Sequence, residues 1–154
     1  MNLYIVRHGY AESGHPDSER KLRDFGREKL LESMPIWKSH IPKIDIILTS
    51  PLKRALETAE VIHKYYNVKE NLIIDQALQP GINIPYLLVT LSALEKNDVM
   101  IVSHMPDVSD LVSDLVAPTS FGYPFSPGTL AFIEFKERIR SGGGKLKLLL
   151  SDRN

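Results

Sequence analysis

The feature that most limits how this chain can fold is a repeated order of short apolar runs and longer amphipathic segments. The runs 3–6, 44–49, 72–74 and 98–103 are rich in β-branched and aliphatic residues, and each reads as a short buried strand. Between them the apolar residues recur at helical spacing. Leu30, Leu31, Met34 and Trp37 mark a first helix over 26–40, which Pro35 is expected to kink or divide. Leu52, Ala55, Leu56, Ala59, Ile62 and Tyr66 mark a second, with Ser50 read as its N-cap and Pro51 as its first residue. Asn83 caps a third, which has Pro85 in its first turn and Leu87, Leu88 and Leu91 inside. Pro106 and Asp107 open a fourth, which turns Val108, Leu111, Val112 and Leu115 inward. After a loop over 117–128, strands 129–135 and 145–150 form an antiparallel hairpin, and the glycine run 142–144 between them reads as a flexible tip. This alternation predicts one α/β domain over residues 1–154: a three-layer α/β/α sandwich with a mostly parallel central sheet and a C-terminal antiparallel hairpin.

Composition narrows the chemistry. Lys plus Arg, 19 in all, balance the 19 Asp plus Glu. Such a chain has no global field to hold nucleic acid or an anionic membrane, so any anion site must be local. The absence of cysteine removes thiolate nucleophiles and thiolate-bound metals. A strand starting at residue 2 and the lack of a bilayer-length apolar run read as a cytoplasmic protein.

The strand ends carry the informative residues. The first run stops at Arg7-His8-Gly9: a guanidinium fork suited to phosphate, an imidazole that works near neutral pH, and a residue that lets a ligand approach. The second stops at Ser50, and Lys53 and Arg54 follow in the first turn of the next helix. Cations there oppose the helix dipole, and helical side chains lean back toward the N-terminus. Arg54 is therefore aimed at the end of the preceding strand, as an anion site requires. The fourth run stops at Ser103-His104, followed by Met105. Parallel strands would collect Arg7, His8, Arg54 and His104 beyond one edge of the sheet. Two Arg and two His suit a phosphoryl group, with positive charge around its oxygens and one nucleophile in line. The clustered carboxylates of a magnesium site are missing, and two His without carboxylate neighbours make a poor zinc site. Loop 10–24 carries Glu12, Asp17, Glu19, Arg20 and Arg23, and loops of that length are often functional.

Arg7-His8-Gly9, Ser50-Pro51 with Arg54, and Ser103-His104 together resemble the signature of the histidine phosphatase superfamily, the phosphoglycerate mutase-like fold. The likeness runs from residue 2 to about 135. Arg20, Leu22 and Gly26 resemble the loop and helix start of the short phosphohistidine phosphatases, and Leu78-Gln79-Pro80-Gly81 resembles their Leu-Thr-Pro turn. The resemblance implies that His8 is the nucleophile and carries a transient phosphoryl group. It implies that Arg7, Arg54 and His104 hold the phosphate oxygens and that Gly9, Ser50 and Met105 line the substrate site. Water then hydrolyses the intermediate, with no metal and no cofactor.

The general acid departs from the pattern. Many relatives carry a Glu after the third strand, whereas 76–80 here holds no acid and Asp75 reads as a turn residue. Tyr10 stands where some relatives have an acid. Glu12, Asp17 and Glu19 are the candidate acids from the first loop. An alkoxide leaving group needs a proton, and the imidazole of phosphohistidine leaves more easily, so the missing acid favours a phosphoramidate or an activated ester. No insertion between 75 and 98 covers the site. An uncovered site admits a phosphorylated protein or a small phosphate ester, and counts against a mutase, which must exclude water. Phosphohistidine in a protein is the leading substrate. The alternatives are a general phosphomonoesterase for sugar or nucleotide phosphates and a non-catalytic, phosphate-recognising regulatory domain.

Overall fold

Along the first strand, β1 (Asn2–Arg7), Leu3 and Ile5 join one buried cluster while Tyr4 and Val6 join another. This period-two sorting recurs in β2 (Ile46–Thr49) and β4 (Asp98–Ser103). Strands covered on both faces read as continuous apolar runs, which is why the sequence marks them clearly. On one face, Leu30, Met34 and Trp37 of α1 (Asp24–His40) and Ala55, Ala59 and Ile62 of α2 (Lys53–Tyr66) close the core. On the other, Leu87 and Leu91 of α3 (Ile84–Ala93) and Val108, Leu111 and Leu115 of α4 (Asp107–Val116) do so.

The protein is seen here in a computed structural model that describes residues 1–117 and 122–152. Residues 118–121 of the expected loop 117–128, and the last two residues of the expected domain, lie outside the described residues. With β3 (Ile73–Ile74), β5 (Leu130–Glu134) and β6 (Lys145–Leu150), the sheet runs β3-β2-β4-β1-β5-β6. The first four strands are parallel, β5 is antiparallel to β1, and β6 is antiparallel to β5. The expected three-layer sandwich with its C-terminal hairpin is the observed fold. Among the described residues no helix is long and apolar enough to cross a membrane.

Four local expectations are corrected. Pro35 does not divide α1, which is one helix from Asp24 to His40. The carbonyl that a proline leaves unbonded is that of Leu31, and both residues are exposed, so solvent can satisfy it. The second helix starts not at Ser50-Pro51 but at Lys53, with Leu52 in the cap position. Ser50 stays with the sheet because its N–H donates to the Val102 carbonyl at 3.0 Å. Loop 10–24 is partly ordered, with a 3₁₀ turn at Asp17–Glu19 and an isolated bridge between Ala11 and Leu22. The glycine run is no free tip: the Gly142 and Gly144 N–H groups donate to the Asp114 and Leu115 carbonyls at 2.8 and 2.9 Å. Ser141 Oγ adds a bond to the Asp114 carboxylate at 2.6 Å. The loop thus satisfies carbonyls at the end of α4 that no helical N–H can reach.

Gly26 fixes how α1 meets the loop after β1. A Cβ there would lie 2.4 Å from the Tyr10 carbonyl oxygen and 3.0 Å from the Tyr10 nitrogen, both backbone atoms that cannot swing aside. Helix propensity favours alanine over glycine by about 1 kcal/mol, whereas forced overpacking costs about 1–3 kcal/mol. The clash is with backbone that cannot yield, so Gly26→Ala is expected to destabilise the protein by up to about 2 kcal/mol in urea unfolding, the upper difference of those two effects, and to lower turnover because Tyr10 follows His8-Gly9. A more stable Gly26→Ala protein would contradict this packing.

Candidate active site

Strand register brings the informative residues together. β4 lies between β2 and β1, with Thr49 opposite Val102 and Arg7 opposite Ser103. Ser50, His104 and His8 follow as the next residues of three adjacent strands. The His8 N–H donates to the Ser103 carbonyl at 3.1 Å, and the His8 and His104 rings stand 5.2 Å apart between centroids.

His8 is buried, and its Nδ1 lies 2.7 Å from the Gly9 carbonyl oxygen. A carbonyl only accepts, so Nδ1 carries the hydrogen and the neutral ring keeps its lone pair on Nε2. Burial pushes the imidazole down to about 4, with Arg54, Arg7 and Arg20 adding to the effect and the Gly9 hydrogen bond opposing it. His8 is therefore neutral at pH 7, which is the nucleophilic form. At Gly9 a Cβ would meet Leu22 Cδ1 at 2.8 Å, so the Leu22 side chain would have to shift to admit one.

Arg7, Arg54 and His104 are each anchored at one end. Arg7 Nη1 donates to the Phe125 carbonyl at 2.8 Å. Arg54 donates through Nη1 to the Asp17 carbonyl at 2.9 Å and through Nη2 to Asp17 Oδ2 at 3.1 Å. His104 Nε2 lies 2.8 Å from Ser50 Oγ. Each then retains one buried nitrogen without a protein partner: Arg7 Nε, Arg54 Nε and His104 Nδ1. An unsatisfied buried donor costs about 1–3 kcal/mol, so the two guanidinium N–H groups call for an acceptor, and His104 Nδ1 joins them when it carries the ring proton. Burial lowers the Arg7 pKa from its ordinary value. Burial first, then the charges of His8, Arg54 and Arg7, push His104 down to about 3 against the pull of Asp17. Two guanidinium N–H groups and, in its Nδ1–H form, an imidazole nitrogen match in number the three outer oxygens of a phosphoryl group.

The profile of the histidine phosphatase superfamily (branch 1) matches residues 3–79, the stretch that holds Arg7, His8 and Arg54. A phosphohistidine phosphatase SixA homolog from Haemophilus influenzae is 30% identical over 142 residues, covering 85% of this chain and 86% of that protein. The chain belongs to the histidine phosphatase superfamily. A solved structure of the protein histidine phosphatase SixA complexed with tungstate is 26% identical, with a TM-score of 0.88 over 99% of this chain and 97% of that one. A phosphoserine phosphatase from Entamoeba histolytica, at 16% identity and a TM-score of 0.72 over 99% and 98% of the two chains, shares the fold.

In this histidine phosphatase the three loop carboxylates differ. Asp17 is held between Arg20, 3.0 Å from Oδ1, and Arg54. The Arg20 hydrogen bond first, then Arg54, hold its carboxyl below the usual range. It is ionised at pH 7 and has no proton to give, so it serves Arg54 as an anchor. Glu19 pairs with Lys53 at 3.0 Å. Glu12 is exposed, and its backbone carbonyl accepts from Arg20 Nε at 2.7 Å. Asp75 is a turn residue, as expected, accepting the Ala77 N–H at 2.9 Å. Met105 follows His104 at the surface.

Two contributors escaped the sequence reading. Thr58 is fully buried, accepts the Gly9 N–H at 3.0 Å and donates to the Arg54 carbonyl at 2.7 Å. It ties the residue that orients His8 to the helix that bears Arg54. Its signal was a lone threonine on the inward, alanine-lined face of α2, one turn after Arg54. The Phe125 carbonyl left no signal, because a backbone carbonyl is the same whichever residue carries it.

Proposed function

We propose that this histidine phosphatase dephosphorylates phosphohistidine in a protein, through a phosphoryl intermediate on His8. The observation that carries this is the trio of buried, unpartnered nitrogens on Arg7, Arg54 and His104 beside an imidazole whose Nε2 lone pair is free. Nε2 of His8 attacks phosphorus as the P–N bond of a substrate ring protonated on its other nitrogen breaks, and the electron pair leaves with a neutral imidazole. Arg7, Arg54 and His104 hold the three outer oxygens throughout. Water then attacks phosphorus, the bond to His8 breaks, and inorganic phosphate and neutral His8 are regained. Arg7 and Arg54 supply the positive charge, and the route uses no metal.

The relative named for phosphohistidine and the relative complexed with tungstate, an oxyanion shaped like phosphate, support this reading. The pairing of Asp17 and Glu19 with basic residues supports a substrate whose leaving group needs little help from an acid. The lack of an insertion between 75 and 98 fits a protein partner, and the sequence fits a cytoplasmic setting.

The test is phosphate release from a histidine-phosphorylated protein, with and without EDTA, beside aryl and sugar phosphates. A positioned acid contributes about 10²–10⁴-fold. The phosphoprotein is expected to turn over equally with the chelator, and sugar phosphates at least about 100-fold more slowly in kcat/KM. Turnover of small esters alone would make the protein a general phosphomonoesterase, and loss of activity in EDTA would end the metal-free route.

A further inference from the structure

Which nitrogen of the His104 ring holds the proton turns on its contact with Ser50. Ser50 Oγ is fully buried, and the Leu52 N–H donates to it at 3.2 Å. A serine hydroxyl has one proton to give. With Oγ already accepting from Leu52, that proton needs an acceptor, and His104 Nε2 at 2.8 Å is the side-chain atom in place to take it. Were Nε2 to donate instead, the buried hydroxyl would lose its acceptor. His104 Nδ1, buried and unpartnered like Arg7 Nε and Arg54 Nε, would then present a bare lone pair. A lone pair there repels an anion that the two guanidinium groups attract.

We infer that Ser50 is a positioning residue that locks His104 in the Nδ1–H tautomer, so that Nδ1 donates to the bound oxyanion. Ser50 therefore acts through His104 rather than by lining the substrate site itself. Both histidines then carry their proton on Nδ1, yet they do opposite work. His8 spends its Nδ1–H on the Gly9 carbonyl and offers a lone pair, whereas His104 spends its Nε2 lone pair on Ser50 and offers a proton. The shift of His104 to about 3 means that the ring is neutral at pH 7, where the choice of tautomer matters. The donor role rests on the phosphoryl site proposed above; the tautomer does not.

The experiment is ¹⁵N NMR of histidine-labelled full-length protein at pH 7, with His104→Gln to assign the ring, alongside binding of inorganic phosphate to wild type and Ser50→Ala. In the wild type, His104 Nε2 is expected to be unprotonated and Nδ1 protonated; the reverse overturns the inference. In Ser50→Ala, the Nε2–H form is expected to gain population and phosphate affinity to fall about tenfold or more, the worth of a hydrogen bond to a charged group. Unchanged affinity, or a fall in affinity with the tautomer unmoved, overturns it too. If Ser50→Ala does not fold, the wild-type spectrum decides. Wild type that fails to bind phosphate defeats the phosphoryl site, while the spectrum still judges the tautomer.

Discussion

His8→Ala is expected to abolish turnover, by about 10⁴-fold or more, while phosphate affinity changes only several-fold. The two effects separate because the two tasks fall on different atoms. Oxyanion holding is assigned to Arg7, Arg54 and His104, whose buried nitrogens do not depend on the His8 side chain for an anchor. Covalent transfer is assigned in this proposal to His8 Nε2, and among the described residues the neighbouring imidazole, His104, is engaged with Ser50 through Nε2. The check is to mix enzyme with ³²P-phosphohistidine protein and quench in alkaline denaturant, where a phosphoramidate survives. Wild type should retain label and His8→Ala none. Label on His8→Ala would move the nucleophile elsewhere, and loss of phosphate binding would mean that the imidazole helps to form the oxyanion site.

The second large effect is on acid stability. His8 and His104 are pushed down to about 4 and about 3 from an ordinary value of 6.5, chiefly by burial. Between pH 6.5 and those values the unfolded chain binds protons that the folded chain refuses, so stability falls as pH falls. The stabilisation is whole above the unfolded value and is exhausted below the folded ones. Each histidine contributes a slope of up to about 1.4 kcal/mol per pH unit, so acidification from pH 7 to 5 costs the pair roughly 4 kcal/mol. That is a large part of a total of about 5–15 kcal/mol. Asp17, whose carboxyl is also held down, adds its loss only at more acid pH, as that carboxyl takes up its proton. Urea midpoints at pH 7, 6 and 5 measure the effect; His8→Ala should remove roughly half of the slope, and inorganic phosphate should raise every midpoint by binding the folded state. Equal stability at pH 7 and 5 would show that the two rings are not desolvated as the structure has them. The same shift keeps His8 neutral in acid, so the acid limb of kcat/KM should fall well below pH 6 rather than near 6.5.

Much of the architecture was legible because its causes are local. Apolar runs covered on both faces mark β1, β2 and β4, and helical spacing marks α1, α2 and α4, since burial repeats every two or 3.6 residues whatever the rest of the chain does. Arg7, His8, Arg54 and His104 stood out because each sits at a strand end or in the helix turn beyond it, where a charged or titratable group has no packing role. The misreadings share one cause. Ser50 looks like a helix cap beside Pro51, yet its decisive partner is His104, 54 positions away, on a strand that lies next to β2 only because β4 inserts between β2 and β1. The glycine run looks like a free tip until α4 supplies the Asp114 and Leu115 carbonyls for it to cap. Thr58 looks like one more inward residue of α2 until the Gly9 N–H arrives. From sequence alone came the order of elements and the identity of the charged groups at one sheet edge, because pattern and side-chain chemistry act within a turn or a strand. The sheet order, the buried nitrogens left without partners and the proton positions on the two imidazoles came only with the tertiary structure, because a hydrogen bond depends on which distant atom ends up 3 Å away.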